Sequence, residues 1–154
     1  MPQPFMARAI QLSIENVHSG GGPFGAVIVR DGSIIAEGTN QVASSLDPTA
    51  HAEVVAIREA CRKLGAFELQ NCEIYTSCEP CPMCLGAIHW ARLSRVYFAA
   101  GAGDASKAGF DDSLIYQEIT QPYSRRRIPM IQVMREDALA AFRVWEEKPN
   151  KIAY

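Results

Sequence analysis

Four residues in two short segments of this chain have the types and the spacing of a catalytic metal site. His51 and Glu53 lie two residues apart, and Cys81 and Cys84 lie three residues apart about thirty positions later. One imidazole and two thiolates suit Zn²⁺, which in catalytic sites takes three protein ligands and keeps its fourth tetrahedral position open. The spacing therefore predicts a zinc site of His51, Cys81 and Cys84 with a water as fourth ligand.

Glu53 is predicted to move protons in this site. Two thiolates cancel the charge of the dication, so this zinc is a weaker Lewis acid than one held by neutral imidazoles, and its water needs a base. A carboxylate beside the open position can take the proton of the water and deliver protons to the substrate, which would receive them at a ring nitrogen and at a departing amine. One residue can serve every step because each transfer returns it to the state that the next one requires.

Other interpretations of the same residues remain open. The Cys81 and Cys84 pair alone could be a redox dithiol, and a structural zinc could take Cys78 or Glu53 as its fourth ligand. The five cysteines are an odd number, and two of them have a metal-binding spacing, which indicates a reducing compartment and not a disulfide framework. Cys61 and Cys72 are expected to be small core residues.

Both key segments are predicted to open helices, at 50–64 and 82–92. Asp47, Pro48 and Thr49 suit the start of the first helix, and Gly65 suits its end. Side chains in an opening turn tilt toward the helix N-terminus, so they can converge on a point beyond it. This matters because residues two apart, such as His51 and Glu53, would not share a face in the middle of a helix.

The apolar pattern predicts the order β-β-α-β-α-β around these two helices. A first helix ends at the glycines 20–22, and strands follow at 24–30, 34–40, 73–77 and 95–100. Beyond Ala100 we expect a loop at 101–110, a helix at 113–119, an edge strand at 128–134 and a last helix at 137–147. These elements predict one α/β domain over 1–154 with helices on both faces of a mixed sheet.

Composition favours a small-molecule substrate over a nucleic acid. The 154 residues are 48% hydrophobic and 21% charged, which is enough for one domain with its own core. The formal net charge is −2, and the only dense basic cluster, Arg125 to Arg127, is expected to be a solvated loop. The segment 1–16 is interrupted by polar residues and lacks the continuous apolar run of a signal peptide. No run of apolar residues in the sequence reaches membrane-spanning length. The protein is expected to be cytoplasmic.

Several segments resemble the zinc-dependent deaminases of the cytidine deaminase superfamily. Three of them are shared with deaminases that act on adenosine in transfer RNA: 22–29, 47–53 and 77–84. The segments 86–92 and 108–113 and the terminal tyrosine are similar to those of the small bacterial guanine deaminases. The resemblance extends over essentially the whole length of the chain.

The resemblance implies a cytidine deaminase-like three-layer α-β-α sandwich with a mixed sheet, one zinc per chain and a homodimer. In such dimers the C-terminal segments can be exchanged between subunits, so the tail 149–154 could close over an active site. It implies that His51, Cys81 and Cys84 are the zinc ligands and that Glu53 is the proton shuttle. It also implies roles in substrate binding for five residues: Phe24 and Trp90 as aromatic walls, Asn40 and Asp112 as hydrogen-bonding partners of the base, and Tyr154 in the lid.

The chemistry of these residue types is compatible with guanine. A buried carboxylate such as Asp112 can accept from the ring N–H groups of guanine, and an amide such as Asn40 can donate and accept at once. Aromatic rings such as Phe24 can flank a planar heterocycle. Other roles stay open: Phe24 could be a core residue, Asp112 a helix cap, and Tyr154 the end of a disordered tail.

The leading hypothesis is therefore hydrolytic deamination of guanine to xanthine and ammonia through a zinc-bound hydroxide, with a purine base as the partner. One alternative is a nucleoside deaminase acting on guanosine or cytidine. A deaminase of adenosine in transfer RNA is another, although it ought to carry a basic surface. A structural-zinc binding module without turnover is the non-enzymatic alternative.

Overall fold

A single mixed β-sheet is the centre of the computed structural model, which describes residues 2–154. Within that range the strands are β1 Gly25–Arg30, β2 Ser33–Thr39, β3 Cys72–Cys78 and β4 Arg95–Ala100. Their order across the sheet is β2-β1-β3-β4. β1 pairs antiparallel with β2 and with β3, and β3 pairs parallel with β4.

The helices of the described residues fall into two compact units, one ending at Asp112 and the other running Ser113–Tyr154. The first unit holds the sheet and the helices α1 Gln3–His18, α2 Val42–Ser45, α3 Ala52–Leu64, α4 Pro82–Trp90 and α5 Ala102–Lys107. The second unit holds α6 Ser113–Thr120, a short 3₁₀ turn Tyr123–Arg125 and α7 Arg135–Glu147. The expectation of one deaminase domain with a tail at 149–154 stays a prediction.

Helices cover both faces of the sheet, which confirms the predicted α/β sandwich. On one face Ala9 and Leu12 of α1 pack against Val27 and Val29 of β1. On the other face, residues of α3 and α4 share a core with the alternate residues of the strands. Every residue of β1 except Arg30 is buried, as expected for an apolar run in a strand covered on both sides.

Two glycines allow helices to lie unusually close to the sheet. A side chain at Gly25 would meet the carbonyl of Ala9 and approach Ser13 N to 2.8 Å, in α1. A side chain at Gly38 would meet the carbonyl of Ala52 and approach Ala56 N to 2.6 Å, in α3. The absence of a Cβ at Gly38 therefore sets the distance between β2 and the helix that begins after His51.

Two sequence predictions are wrong, and in each case partners distant in sequence explain the difference. The segment 101–110, predicted to be a loop, contains α5. Asp104 accepts from Gly101 N at 2.9 Å, and Glu79 accepts from Ala102 N at 2.9 Å, so carboxylates satisfy the first turn. The edge strand predicted at 128–134 is absent, because the unit Ser113–Tyr154 holds no other strand with which it could pair.

Residues 2–154 also contain a short helix that the sequence did not predict. The short helix α2 lies between β2 and α3 where no element had been predicted, and it ends at Leu46 in the left-handed conformation, with φ 51°. No helix in this range combines the length and the apolar character needed to cross a membrane.

Candidate zinc centre and active site

The predicted zinc ligands sit at the starts of two helices, as the sequence indicated. His51 is the residue before α3, with extended backbone angles of φ −68° and ψ 156°, and its carbonyl accepts from Val55 N at 2.9 Å. Cys81 occupies the same position before α4, with φ −67° and ψ 169°, and its carbonyl accepts from Leu85 N at 2.9 Å. Each residue is thus fixed by its helix while its side chain projects beyond the helix end.

The three side chains converge with distances that fit a tetrahedral zinc ion. Nδ1 of His51 lies 3.6 Å from Sγ of Cys81 and 3.5 Å from Sγ of Cys84. All three ligand atoms lie within 4.8 Å of one another. Bonds of about 2.3 Å to sulfur and about 2.0 Å to nitrogen at a tetrahedral angle would separate N and S by about 3.5 Å. The donor set and its spacing therefore suit Zn²⁺.

The thiols of this cluster differ in how readily they ionise. A hydrogen bond with Cys84 and then the hydrogen bond and charge of His51 lower the pKa of Cys81 to about 4. The pKa of Cys84 is raised, first by its hydrogen bond with Cys81, then by burial and the charge of Glu53. The pKa of His51 is raised by its hydrogen bond with Cys81. A thiolate beside a second thiol and a carboxylate is a donor set that attracts a dication.

Glu53 lies beside the cluster and is deeply buried. Only 6% of the residue is exposed. Thr76 Oγ1 lies 3.3 Å from one carboxylate oxygen, and Cys84 Sγ donates to the other at 3.4 Å. Burial raises the pKa of Glu53, which suits a carboxyl that must both take up and release a proton near neutral pH.

The described residues argue against Cys78 as a fourth zinc ligand. The metal-binding cluster consists of His51, Cys81 and Cys84. Cys78 Sγ is directed to the carbonyl of Gly101, at 3.8 Å, which is consistent with its expected place outside the ligand set. The thiols of Cys81 and Cys84 are free and not joined as a disulfide. The open fourth coordination position stays a prediction.

Asn40 and Phe24, both predicted to contact the substrate, are joined through the backbone. Asn40 N donates to the carbonyl of Phe24 at 3.2 Å, and the side-chain Oδ1 of Asn40 accepts from Val42 N at 3.2 Å. Phe24 packs at the margin of the core shared with α3 and α4, and Phe110 meets its ring edge-on, with centroids 4.9 Å apart. Part of the Phe24 ring therefore serves as core, which was the alternative left open for it.

The remaining residues predicted to bind the substrate, Asp112, Trp90 and Tyr154, differ in how far they are exposed. Asp112 is half-buried, and burial followed by the charges of Cys81 and Asp111 raises the pKa of its carboxyl. Trp90 ends α4 and is 66% exposed. Tyr154 is an exposed residue of the second unit, and its assignment to a lid stays a prediction.

Sequence reasoning missed two residues that support the site. Thr76 lies on the face of β3 that is directed toward α3, and its partner Glu53 is 23 positions away in the sequence. Asn16 reaches from α1 to the carbonyl of Asn40 at 2.9 Å. A polar residue near the end of an amphipathic helix gives no signal of this bond, because its partner is 24 positions away.

Comparisons with known proteins agree with this geometry. Residues 2–100 match the family described as the cytidine and deoxycytidylate deaminase zinc-binding region. The guanine deaminase of Bacillus subtilis (strain 168) is 58% identical over 153 residues, which is 99% of this chain and 98% of that protein. The crystal structure of guanine deaminase from Bacillus subtilis superposes with a TM-score of 0.96 at 57% identity, over 99% of this chain and 98% of that one. The tRNA-specific adenosine deaminase of Aquifex aeolicus (strain VF5) is 43% identical over 96 residues, 62% of this chain and 64% of that protein.

Proposed function

Because the chain belongs to the cytidine and deoxycytidylate deaminase family, we propose that it is a guanine deaminase, a zinc-dependent hydrolase that converts guanine and water to xanthine and ammonia. One observation carries this proposal: the 58% identity to a guanine deaminase extends over 99% of the chain. The relatives that act on transfer RNA match a smaller part, such as 62% for the one from Aquifex aeolicus. The net charge of −2 also gives little support to a polyanionic substrate.

Zinc held by His51, Cys81 and Cys84 is proposed to be the resident cofactor, one ion per chain. When bound there, it supplies Lewis-acid polarisation of the water that attacks the ring carbon bearing the amine. The three ligands fix its position because His51 and Cys81 are anchored at helix starts and Cys84 is fully buried.

Glu53 is proposed to carry the protons of the reaction. Its carboxylate accepts a proton as water adds to the ring carbon, and it passes that proton to the adjacent ring nitrogen. The carboxylate then takes the second proton, from the hydroxyl now on the ring carbon, and delivers it to the amine as the carbon–nitrogen bond breaks, so that ammonia leaves and a carbonyl remains. Burial keeps these transfers away from bulk water, and contact with Thr76 at 3.3 Å restrains the carboxylate.

Four side chains of the first unit are proposed to orient the purine. Asn40 and Asp112 supply an amide and a carboxylate for the polar edge of the base, and Phe24 and Trp90 supply aromatic surface. Guanine presents ring N–H donors that a half-buried carboxylate can accept, whereas a base without them would leave that carboxylate unpaired at a cost. This asymmetry favours guanine over adenine.

A homodimer is proposed because α4 is apolar on nearly all sides, with His89 as its one polar side chain. Only Cys84 and Ile88 of this helix are buried, while Leu85 is 41% and Trp90 66% exposed. A helix of this kind in a water-soluble protein needs cover on both sides. A second copy of the chain is the expected cover, and light scattering after size exclusion should give the mass of two chains. An active monomer at assay concentration would contradict this proposal.

Exchange of C-terminal segments between the two subunits is also proposed, with Tyr154 in the exchanged tail. A complementation experiment separates exchange from self-closure: co-express a Glu53→Gln chain that has its tail with a chain lacking 149–154. With exchange, the mixed dimer pairs an intact site with an intact tail and regains about half of the activity. Without exchange, neither chain can complete a site, and the mixture remains as inactive as the two parents.

A cytoplasmic location is proposed because the site uses reduced thiols and the five cysteines are all unpaired. Cell fractionation followed by immunodetection tests it, and recovery in an oxidising compartment would contradict it.

A substrate panel tests the proposed function as a whole. Ammonia release from the purified zinc protein is measured with guanine, guanosine, adenine, cytidine, cytosine and transfer RNA. We expect turnover of guanine and of no other compound at a comparable kcat/KM. Preferential turnover of guanosine or cytidine would identify a nucleoside deaminase, salt-sensitive activity on transfer RNA would identify an editing enzyme, and full zinc loading without any turnover would identify a structural zinc module.

A further inference from the structure

Asn16, near the end of α1, joins three segments that are far apart in the sequence. Its side-chain Nδ2 donates to the carbonyl of Gly22 at 2.8 Å and to the carbonyl of Asn40 at 2.9 Å. Its own carbonyl accepts from Gly21 N at 2.8 Å. The residue is half-buried, so these bonds are partly shielded from water.

The chain around Asn16 is shaped to hold its amide in this place. A Cβ at Gly21 would lie 2.9 Å from Cγ of Asn16, so any other residue there would displace the amide. A Cβ at Gly22 would lie 3.3 Å from Cγ of Asn40, which is tighter than ordinary contact. The glycine run that ends the first helix therefore leaves room for the side chains of Asn16 and Asn40.

The hydrogen bonds of Asn16 are part of a closed ring of hydrogen bonds that includes the backbone of Asn40. Phe24 N donates to the carbonyl of Gly22 at 2.9 Å, and Asn40 N donates to the carbonyl of Phe24 at 3.2 Å. Asn40 is thus held at its N–H by Phe24 and at its C=O by Asn16. With Oδ1 of Asn40 also bound to Val42 N, both the backbone and the side-chain amide have a fixed direction.

We propose that Asn16 is a positioning residue for the substrate: it sets the backbone of Asn40 and thereby aims the amide of Asn40 at the purine edge. The inference rests on the proposed function, in which Asn40 binds the base. Asparagine suits this role because its terminal amide offers two N–H donors, one for each carbonyl. An aspartate of the same shape would face those two carbonyls with an acceptor and repel them.

The test uses the zinc-loaded protein and a double-mutant cycle. Asn16→Ala and Asn16→Asp should lower kcat/KM for guanine by about 10- to 100-fold, the range expected for a misplacement of about 1 Å, with zinc content unchanged. The matched control is Gln11→Ala, which removes an amide from an exposed position of the same helix and should leave kcat/KM unchanged. In an Asn40→Ala background, Asn16→Ala should cost less than about twofold, because the residue through which it acts is gone.

A role in stability alone would give a different pattern. In that case Asn16→Ala would lower the unfolding midpoint, and it would lower kcat/KM by the same factor whether residue 40 is asparagine or alanine. Such additivity in kcat/KM would overturn the inference. If Asn16→Ala fails to fold, Gly21→Ala replaces it, since that variant keeps Asn16 but pushes its amide aside, and the same non-additivity is expected. Wild-type activity of Asn16→Ala or of Gly21→Ala overturns this inference but leaves the proposed function standing. No guanine turnover by the wild-type protein overturns the proposed function and the inference together.

Discussion

Replacement of Gly38 by alanine is expected to damage the active site from a position that touches no substrate. The new Cβ would lie 2.6 Å from Ala56 N and closer still to the carbonyl of Ala52, whereas ordinary contact begins at 3.4 Å, so α3 must retreat by at least about 0.8 Å. Backbone atoms on both sides prevent a local adjustment. Overpacking of this kind costs about 1–3 kcal/mol of folding stability. Because α3 begins at His51 and carries Glu53, a shift approaching 1 Å should also cost up to about 100-fold in kcat/KM.

The assay for Gly38→Ala combines urea unfolding, zinc analysis and guanine turnover. Gly103→Ala is the matched control, because Gly103 lies in α5 and a Cβ there meets nothing within 4 Å. The control should be as active as the wild type and at least as stable, because alanine has a higher helix propensity than glycine. Equal stability and equal kcat/KM for the two variants would refute the claim that close approach of β2 and α3 positions the site.

Three further replacements test the metal, the carboxylate and a surface ion pair. Cys84→Ser should lower the bound zinc well below one per chain by metal analysis and abolish turnover; full zinc content would contradict the ligand assignment. Thr76→Val should lower kcat about tenfold with zinc retained, and Thr76→Ser should restore it; wild-type kcat for the valine variant would exclude a role in holding Glu53. The third concerns Glu37, whose pKa is lowered by the hydrogen bond and charge of Arg8. A carboxyl with a depressed pKa stabilises the fold above its unfolded pKa of 4.5, and this contribution is lost as the pH falls through the folded pKa. Glu37→Gln should therefore be less stable than the wild type in urea at pH 6, by less than about 1 kcal/mol for so exposed a pair, and no less stable at pH 3.

The zinc cluster could be predicted from the sequence because its determinants are local. His51 and Cys81 each precede a helix whose start is marked in the sequence, and the side chain at such a position has few directions available. Cys84 follows within the first turn of its helix. What the sequence leaves open is the distance between the two helix starts, which the sheet and Gly38 determine.

The wrong predictions concern segments whose structure depends on distant partners. The residues of α5 lack an apolar period, and its first turn is stabilised by Glu79, 23 positions away from Ala102. The apolar residues of 128–134 favour an extended conformation, but a strand also needs a neighbour, and strand propensity depends on that context more than helix propensity does. The hydrogen bonds of Asn16 to Gly22 and Asn40 could not be predicted from the sequence for the same reason.

The most direct test of a proton-carrying carboxylate beside a three-ligand zinc is the guanine turnover of Glu53→Gln, measured together with its zinc content. Glutamine keeps the shape of the side chain but cannot take up the proton of water. We expect one zinc per chain, as in the wild type, with kcat lowered by at least about 1000-fold, within the range of general acid–base catalysis. A Glu53→Gln protein that releases ammonia from guanine at the wild-type rate, or one that has lost its zinc because Glu53 was a ligand, would contradict this mechanism.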